Sequence, residues 1–211
     1  MSLLRLIGYR FSVYTWAVRM ALAEASVAAL YEEADPFDAS LAGSLRQHHP
    51  FARVPVLWDG GFRLYETGAI LEYLLPCAAD TKTAARARQV AGIVDSYAYL
   101  PLVRQVYSHA VFRPALGRAG DTGEIAAGLA AAPAVLAALE EIAAEALVLR
   151  GGECAAAECH LAPMLGYFTQ ASQGRDMLAQ FPALQRWFSG ISRRDSYCRT
   201  RPDPSAVGAR A

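Results

Sequence analysis

The chain has 211 residues, 54% of them hydrophobic, and 20 lysines plus arginines balance 20 aspartates plus glutamates. This length allows one large domain or two small ones, each with a real core. The balanced charge argues against a nucleic-acid partner, which would require a basic excess. We recognise neither a signal peptide nor a charge-free apolar run suited to anchoring, so we expect a cytoplasmic protein with no membrane partner.

Strand and helix signals alternate along the first 76 residues. Apolar runs at 3–8 and 28–34 predict strands, and each is followed by a helical pattern. Asp59-Gly60-Gly61 predicts a tight turn between two further short strands, after which Glu66 and Thr67 open another helix. The resulting order, β-α-β-α-β-β-α, predicts a thioredoxin-like domain over residues 1–76.

After residue 81 the strand signals disappear. The pattern predicts a long amphipathic helix over 82–112, bent at Pro101, followed by helical segments at 121–149, 153–172 and 182–192, with Pro133 as an interruption of the second. The fold class is therefore α/β plus all-α. We expect residues 81–200 to form an all-helical second domain, 76–80 to be the linker, and 201–211 to be a loosely ordered tail.

The stretch from residue 49 to residue 70 carries the richest chemical signal. Val54-Pro55 opens a strand, where a cis bond is expected, and the backbone there can pair with the main chain of a peptide ligand. The Glu66 carboxylate suits an ammonium group, while the Thr67 hydroxyl and the amides of a helix N-terminus suit a carboxylate. A ligand end that carries both groups describes the γ-glutamyl end of glutathione.

The order and spacing of these residues resemble the glutathione-binding half of the glutathione S-transferase family. Residues 93–99 look like the fourth helix of bacterial members, and residues 158–164 look like their sixth-helix segment. In that segment Ala155 and Glu158 replace the usual Ser/Thr and Asp of an N-cap, which we expect to cost about 1 kcal/mol. The resemblance implies a homodimer, with the Glu66 helix and the fourth helix near the interface.

The resemblance also implies roles for individual residues. Arg53 matches a position that faces the glycyl carboxylate of glutathione, and His49 is a further candidate for the same contact; either side chain alternatively lies at the surface without a role. A glutathione enzyme must hold the sulfur as a thiolate, and lowering a thiol pKa by two units takes about 2.7 kcal/mol. Ser12 lies six residues before Val18, as the active serine does in serine-type members.

Ser12 is therefore our first candidate for the thiolate donor, and Tyr14, whose phenol can also donate to sulfur, is the second. The alternative for Ser12 is a helix cap without a catalytic role. We expect a hydrophobic electrophile pocket between the domains, with Phe11, Tyr14, Tyr97 and Tyr107 as lining candidates, although aromatic side chains at helical spacing are also typical of a core.

The sequence thus predicts a glutathione transferase that conjugates glutathione to a small apolar electrophile. The four cysteines show no zinc-binding spacing, so we expect no metal. Two other functions stay open: glutathione-dependent reduction of disulfides or peroxides at the same site, and a non-catalytic binding or assembly module. The first helix contains no cysteine, which disfavours mixed-disulfide chemistry.

Overall fold

The strands predicted for the first domain form one sheet. The computed structural model describes residues 3–76, 80–152 and 154–203. The first-domain elements are β1 (Leu4–Gly8), α1 (Val13–Glu24), β2 (Ala29–Glu33), a short 3₁₀ turn (Ala39–Leu41), α2 (Ala42–His48), β3 (Val56–Asp59), β4 (Phe62–Tyr65) and α3 (Thr67–Leu74). This is the predicted β-α-β-α-β-β-α order, and the thioredoxin-like fold is confirmed.

The sheet has the strand order β2-β1-β3-β4 within the described residues. β1 runs parallel to β2 and antiparallel to β3, and β4 is antiparallel to β3. Leu57 of β3 lies opposite Leu6 of β1 on one side and Leu64 of β4 on the other. The parallel pair is joined by α1, because parallel neighbours require a crossover connection.

The described part of the second domain consists of helices joined by loops. α4 (Thr81–Ile93) continues into a segment with wider, i→i+5 hydrogen bonds (Val94–Phe112), which we call the π segment, and then into the single turn α5 (Arg113–Ala115). The remaining helices are α6 (Thr122–Glu145), α7 (Ala156–Phe168), α8 (Ser172–Leu178), α9 (Pro182–Ile191) and α10 (Asp195–Thr200). Pro101 lies inside the π segment, and Pro133 lies inside α6 without ending it.

The domain boundaries stay predictions. Residues 77–79 of the expected linker and residues 204–211 of the expected tail lie outside the described residues. Of the remaining expected tail, residues 201–203 follow α10 directly, and Pro202 is buried. The chain is thus described up to Asp203.

The two domains meet where α1 packs against α7. Trp16 of α1 is fully buried, with its ring 5.2 Å from that of Tyr167 and 4.9 Å from that of Tyr197. Its indole Nε1 donates to the Thr200 hydroxyl at 3.2 Å, which ties α10 to the first domain. This aromatic junction holds the loop before α1 against the helical domain, and that loop carries Ser12.

α6 is the one helix in the described ranges that is long and apolar enough to cross a membrane, with a mean hydropathy of 1.7. In this fold it packs against the π segment and α9, and its buried positions include Leu136 and Leu139. One side of α6 thus packs into the core of the helical domain.

The N-terminus of α7 replaces the missing cap with a buried carboxylate. Ala155 occupies the N-cap position and makes no side-chain cap bond. Glu158 accepts a hydrogen bond from the Ala155 amide at 3.1 Å and another from the Leu149 amide at 2.9 Å. One side chain therefore satisfies an amide of the helix start and an amide of the preceding loop.

Candidate functional site

A cavity of about 600 Å³ lies between the first domain and the π segment. This size falls within the usual range for small-molecule sites. It is lined by the loop before α1, the segment leading into β3, the N-terminus of α3 and one side of the π segment. Ten of the predicted site residues line it: Phe11, Ser12, Tyr14, His49, Arg53, Val54, Pro55, Glu66, Thr67 and Tyr107.

Ser12 stands at the mouth of α1. It is the N-cap residue, with extended backbone angles, and its Oγ accepts a hydrogen bond from the Thr15 amide at 3.2 Å. An Oγ that accepts from the helix keeps its own proton available for a group in the cavity. The capping role weighed from sequence is therefore present, and it is compatible with a second role toward a ligand.

The loop that carries Ser12 is fixed at several points. The Ser12 amide donates to the Tyr9 carbonyl at 2.8 Å, and the Tyr9 amide donates to Thr15 Oγ1 at 3.3 Å. The buried Tyr167 of α7 donates its hydroxyl to the Phe11 carbonyl at 3.0 Å. These contacts hold the position of Ser12 before any ligand binds, which favours a preorganised site.

The N-terminus of α3 offers a carboxylate, that of Glu66, and the partial positive charge of a helix start, which are the two features expected of a γ-glutamyl receptor. Glu66 is the N-cap residue of α3, with φ at 71°, and its side chain is 69% exposed. A positive φ at a residue other than glycine is unusual and concentrates at functional sites. Thr67 is buried in the first turn, and the peptide bond between Val54 and Pro55 is cis, as predicted.

His49 and Arg53 border the same end of the cavity. His49 is 3% exposed, and its Nδ1 accepts from the Phe51 amide at 3.2 Å, so Nε2 carries the proton of the neutral ring. That Nε2 lies 3.9 Å from the Glu66 carboxylate. Burial lowers the pKa of His49, while the charge of Glu66 opposes this effect. Arg53 is exposed and reaches the cavity from the residue before Val54.

Tyr14 faces the cavity beside Asp95 of the π segment. Its ring lies 5.2 Å from the ring of Tyr99 and 6.1 Å from that of His160. Burial and then the charge of Asp95 raise the pKa of Tyr14, so its phenol stays protonated at neutral pH. Asp95 in turn contacts His160 Nε2 at 3.0 Å. The Tyr14 hydroxyl thus lies next to an acceptor that belongs to the protein.

The prediction that Tyr97 lines the pocket is wrong. Its side chain is 65% exposed and takes no part in the cavity lining. The lining positions of the π segment include Asp95, Tyr99, Val103 and Tyr107, four residues apart. Because Tyr97 is two residues from both Asp95 and Tyr99, it projects from the opposite side of the helix. Sequence reasoning identified the aromatic cluster but not the side of the helix that faces the first domain.

The aromatic part of the cavity surrounds the loop before α1. The Phe11 and Phe112 rings lie 5.5 Å apart, and Tyr107 stacks on Tyr167 with ring centroids 4.0 Å apart. Several lining residues had no assigned site role at the sequence level: Tyr9, Phe37, Asp95, Val103, Arg104, Ser108 and Tyr167. The spacing of four residues between Asp95 and Tyr99 is a sequence signal that both side chains lie on one side of a helix. Tyr9 has no comparable sequence signal for a place in the cavity. Burial raises the pKa of Tyr9 to about 12.

No cluster of three or more histidine, cysteine or acidic side chains suited to a metal ion occurs in the part of the chain that the structure describes. The four predicted glutathione contacts with the strongest sequence signal, Val54, Pro55, Glu66 and Thr67, instead lie together at one end of the cavity. The arrangement provides an anion-binding helix end, a carboxylate and a hydroxyl donor beside an aromatic chamber.

Comparison with known proteins agrees with this geometry. Residues 2–76 match the family described as Glutathione S-transferase, N-terminal domain. The first domain is thus similar to the N-terminal domain of glutathione S-transferases. A curated relative, the glutathione S-transferase of Hyoscyamus muticus, is 23% identical over 159 residues, which cover 72% of this chain and 74% of the relative.

The full fold is also that of solved glutathione S-transferases. A glutathione S-transferase I bound with lactoylglutathione superposes with a TM-score of 0.81 at 20% identity, covering 94% of this chain and 98% of that one. The theta-class enzyme of Xanthomonas axonopodis pv. citri, solved with glutathione bound, gives a TM-score of 0.76 at 24% identity, covering 95% and 97%. These likenesses show that the shared fold spans both domains.

Proposed function

We propose that this chain is a serine-type glutathione transferase that conjugates glutathione to a small apolar electrophile. The observation that carries the proposal is the convergence of Ser12, Val54-Pro55 and Glu66-Thr67 on one cavity beside an aromatic chamber. These residues come from three separate parts of the chain. A core or a set of unrelated turns would not need to bring a hydroxyl, a carboxylate and a helix end together.

Glutathione is the substrate that fits this end of the cavity. The Glu66 carboxylate would bind the γ-glutamyl ammonium group, and Thr67 with the first amides of α3 would bind the adjacent carboxylate. The Val54 backbone would pair with the cysteinyl main chain. Arg53 and the Nε2–H of His49 are the donors available for the glycyl carboxylate, and arginine is well suited to bind carboxylates in a bidentate manner.

Ser12 would supply the chemistry at sulfur. Its hydroxyl proton, together with the N-terminus of α1, stabilises the thiolate of bound glutathione. The thiolate then attacks the electrophilic carbon of the second substrate, a carbon–sulfur bond forms, and the leaving group departs with its electron pair. Tyr14 is the second candidate for this role, but Asp95 competes for its hydroxyl. The thiol proton passes to solvent before the attack.

The same proposal includes a cytoplasmic homodimer. Tyr73 of α3 and Tyr97 and Leu100 of the π segment are large apolar side chains that are 45%, 65% and 57% exposed. Apolar surface of this kind on adjoining helices favours a protein partner, here a second copy of the chain. Sedimentation of the purified protein would report a mass near 45 kDa for a dimer, against 22.7 kDa for the single chain.

Calorimetric titration with millimolar glutathione tests the binding half of the proposal. We expect saturable binding, weakened about tenfold by Glu66→Gln through loss of the charge-assisted contact. Glu72→Gln is the matched control, because Glu72 lies on the same helix and pairs with Arg88 away from the cavity. Absence of binding by the wild-type protein would contradict the proposal and favour the non-catalytic module.

A second assay separates conjugation from reduction. Turnover of a chlorodinitrobenzene reports aromatic conjugation, while turnover of hydroxyethyl disulfide reports reduction by two glutathione molecules. We expect the first to dominate, because α1 offers a serine and no cysteine at the cavity. A protein that turns over only the disulfide would be a reductase at the same site.

A further inference from the structure

The charged side chains that line the cavity occupy two separate parts of its wall. Its two carboxylates, Glu66 and Asp95, lie at the end formed by α3 and the start of the π segment. Arg53 borders the same end from the first domain. Arg104 is the cation contributed by the helical domain, nine residues beyond Asp95 along the π segment. The aromatic chamber therefore has a positive group of its own, separate from the proposed glutathione contacts.

Arg104 has no partner within the protein among residues 3–76, 80–152 and 154–203. Its guanidinium makes neither an ion pair within 4.0 Å nor a hydrogen bond with them. The next arginine along the chain, Arg113, differs, since it donates to the Ala119 carbonyl at 2.9 Å. An unpaired, exposed guanidinium at the wall of a cavity is available to a bound molecule.

The surroundings of Arg104 indicate what kind of molecule would use it. Val103, Tyr107 and Ser108 lie within one turn of Arg104 and line the same cavity. Tyr107 stacks on Tyr167, and Phe112 lies 5.5 Å from Phe11, so flat aromatic rings form the walls. A ligand that fills this chamber would be an aromatic body, and a negative substituent on it would reach the guanidinium.

We propose that Arg104 is a specificity residue that makes this transferase select aromatic electrophiles carrying a carboxylate over their neutral counterparts. The inference rests on the proposed function and names the second substrate's chemical class. A neutral apolar electrophile still fits the chamber but leaves the guanidinium solvated. Arg53 and the α3 N-terminus already provide for the two carboxylates of glutathione, so Arg104 acts on the acceptor.

A matched pair of aryl chlorides tests this role. Chloronitrobenzoate carries a carboxylate, and chloronitrobenzamide is a neutral molecule of nearly the same shape. With either acceptor the glutathione thiolate attacks the ring carbon that bears chlorine, the carbon–sulfur bond forms, and chloride leaves with the bonding pair. The amide activates the ring more strongly than the carboxylate does, and this intrinsic difference is the same for every variant. The change in the ratio of the two kcat/KM values between wild type and an Arg104 variant therefore isolates the effect of the charge.

We expect Arg104→Gln to lower kcat/KM for the benzoate about tenfold, mainly through KM, and to leave the benzamide within about twofold. Arg104→Lys should retain a large part of the preference, because the charge is kept. Arg186→Gln is the control for net charge, since Arg186 is an exposed residue of α9 away from the cavity. Added salt should reduce the wild-type preference and leave the Arg104→Gln ratio unchanged.

Three outcomes would overturn the inference. Equal losses for both acceptors would assign Arg104 a role in shaping the chamber. A rise in the KM for glutathione with an unchanged acceptor ratio would make Arg104 a glutathione contact. If the wild-type protein turns over neither acceptor, its activity with chlorodinitrobenzene decides the proposed function, and calorimetry with nitrobenzoate decides the inference separately: binding that is equal in wild type and Arg104→Gln would refute it.

Discussion

Replacing Glu158 should destabilise the fold more than replacing an ordinary capping residue does. Its carboxylate, 5% exposed, accepts hydrogen bonds from the amides of Ala155 and Leu149. Hydrogen bonds to a charged group contribute roughly 1.5–3 kcal/mol each. The lower end applies to both bonds, because removing the carboxylate also removes the free energy needed to bury it. Glu158→Ala should therefore lower the free energy of unfolding by about 3 kcal/mol.

For a chain of this length that loss corresponds to a fall in Tm of about 9 °C. Urea unfolding followed by circular dichroism at fixed protein concentration measures the loss in the free energy of unfolding. Glu158→Gln keeps one acceptor oxygen and should lose less, about 2 kcal/mol. Ala155→Ser should gain about 1 kcal/mol, because the extended backbone at Ala155 suits a capping hydroxyl. A Glu158→Ala protein within about 0.5 kcal/mol of wild type would refute this account of the α7 terminus.

Two further predictions concern the packing between the domains. A Cβ at Gly166 would lie 2.8 Å from the Trp16 ring, so Gly166→Ala should destabilise the protein by about 2 kcal/mol. Gly190→Ala, in open space on α9, should be neutral or stabilising by about 0.5 kcal/mol in the same urea assay, and equal losses would contradict the packing argument. The bidentate hydrogen bonds from Arg194 hold the pKa of Glu24 below its ordinary value of 4.5, so the stability from this pair is complete above that value and is lost as the pH falls below it. Wild type should therefore lose stability more steeply than Glu24→Gln between about pH 5 and pH 3, and parallel profiles would refute the role of the pair.

The first domain could be predicted from sequence because its signals are local. The Asp59-Gly60-Gly61 turn, the proline before β3 and the Glu66-Thr67 helix start each depend on a few neighbouring residues. Signals of this kind are reliable because the residues that carry the signal are the same residues that form the turn or the helix start. The residues at the end of the cavity that we propose binds glutathione could accordingly be named from the sequence alone.

The side of the π segment that faces the cavity could not be predicted in the same way. Asp95, Tyr99, Val103 and Tyr107 share the side of the π segment that lines the cavity, and Tyr97, two residues from Asp95 and Tyr99, points outward. Helical spacing separates these two sides, but packing against the distant first domain decides which of them faces the cavity. The sequence therefore indicates the aromatic cluster without selecting Tyr99 over Tyr97, and it gives no signal for Arg104.

Contacts between distant parts of the chain were likewise outside the reach of sequence reasoning. The bond from Trp16 to Thr200 joins residues that are 184 positions apart. α8 and α10 have 7 and 6 residues, too short for a helical period to stand out from the flanking chain. Such helices form because tertiary packing stabilises them, and their own propensity contributes little.

The ionisation of bound glutathione tests the central claim most directly. The claim is that Ser12, besides capping α1, holds the glutathione sulfur as a thiolate, and the ultraviolet absorbance of the thiolate against pH measures this on the complex. We expect the pKa of the bound thiol to lie about two units below that of free glutathione, to return most of the way in Ser12→Ala, and to stay low in Ser12→Thr, which keeps the hydroxyl. A bound thiol with the same pKa in wild type and Ser12→Ala, at equal glutathione occupancy, would contradict the account.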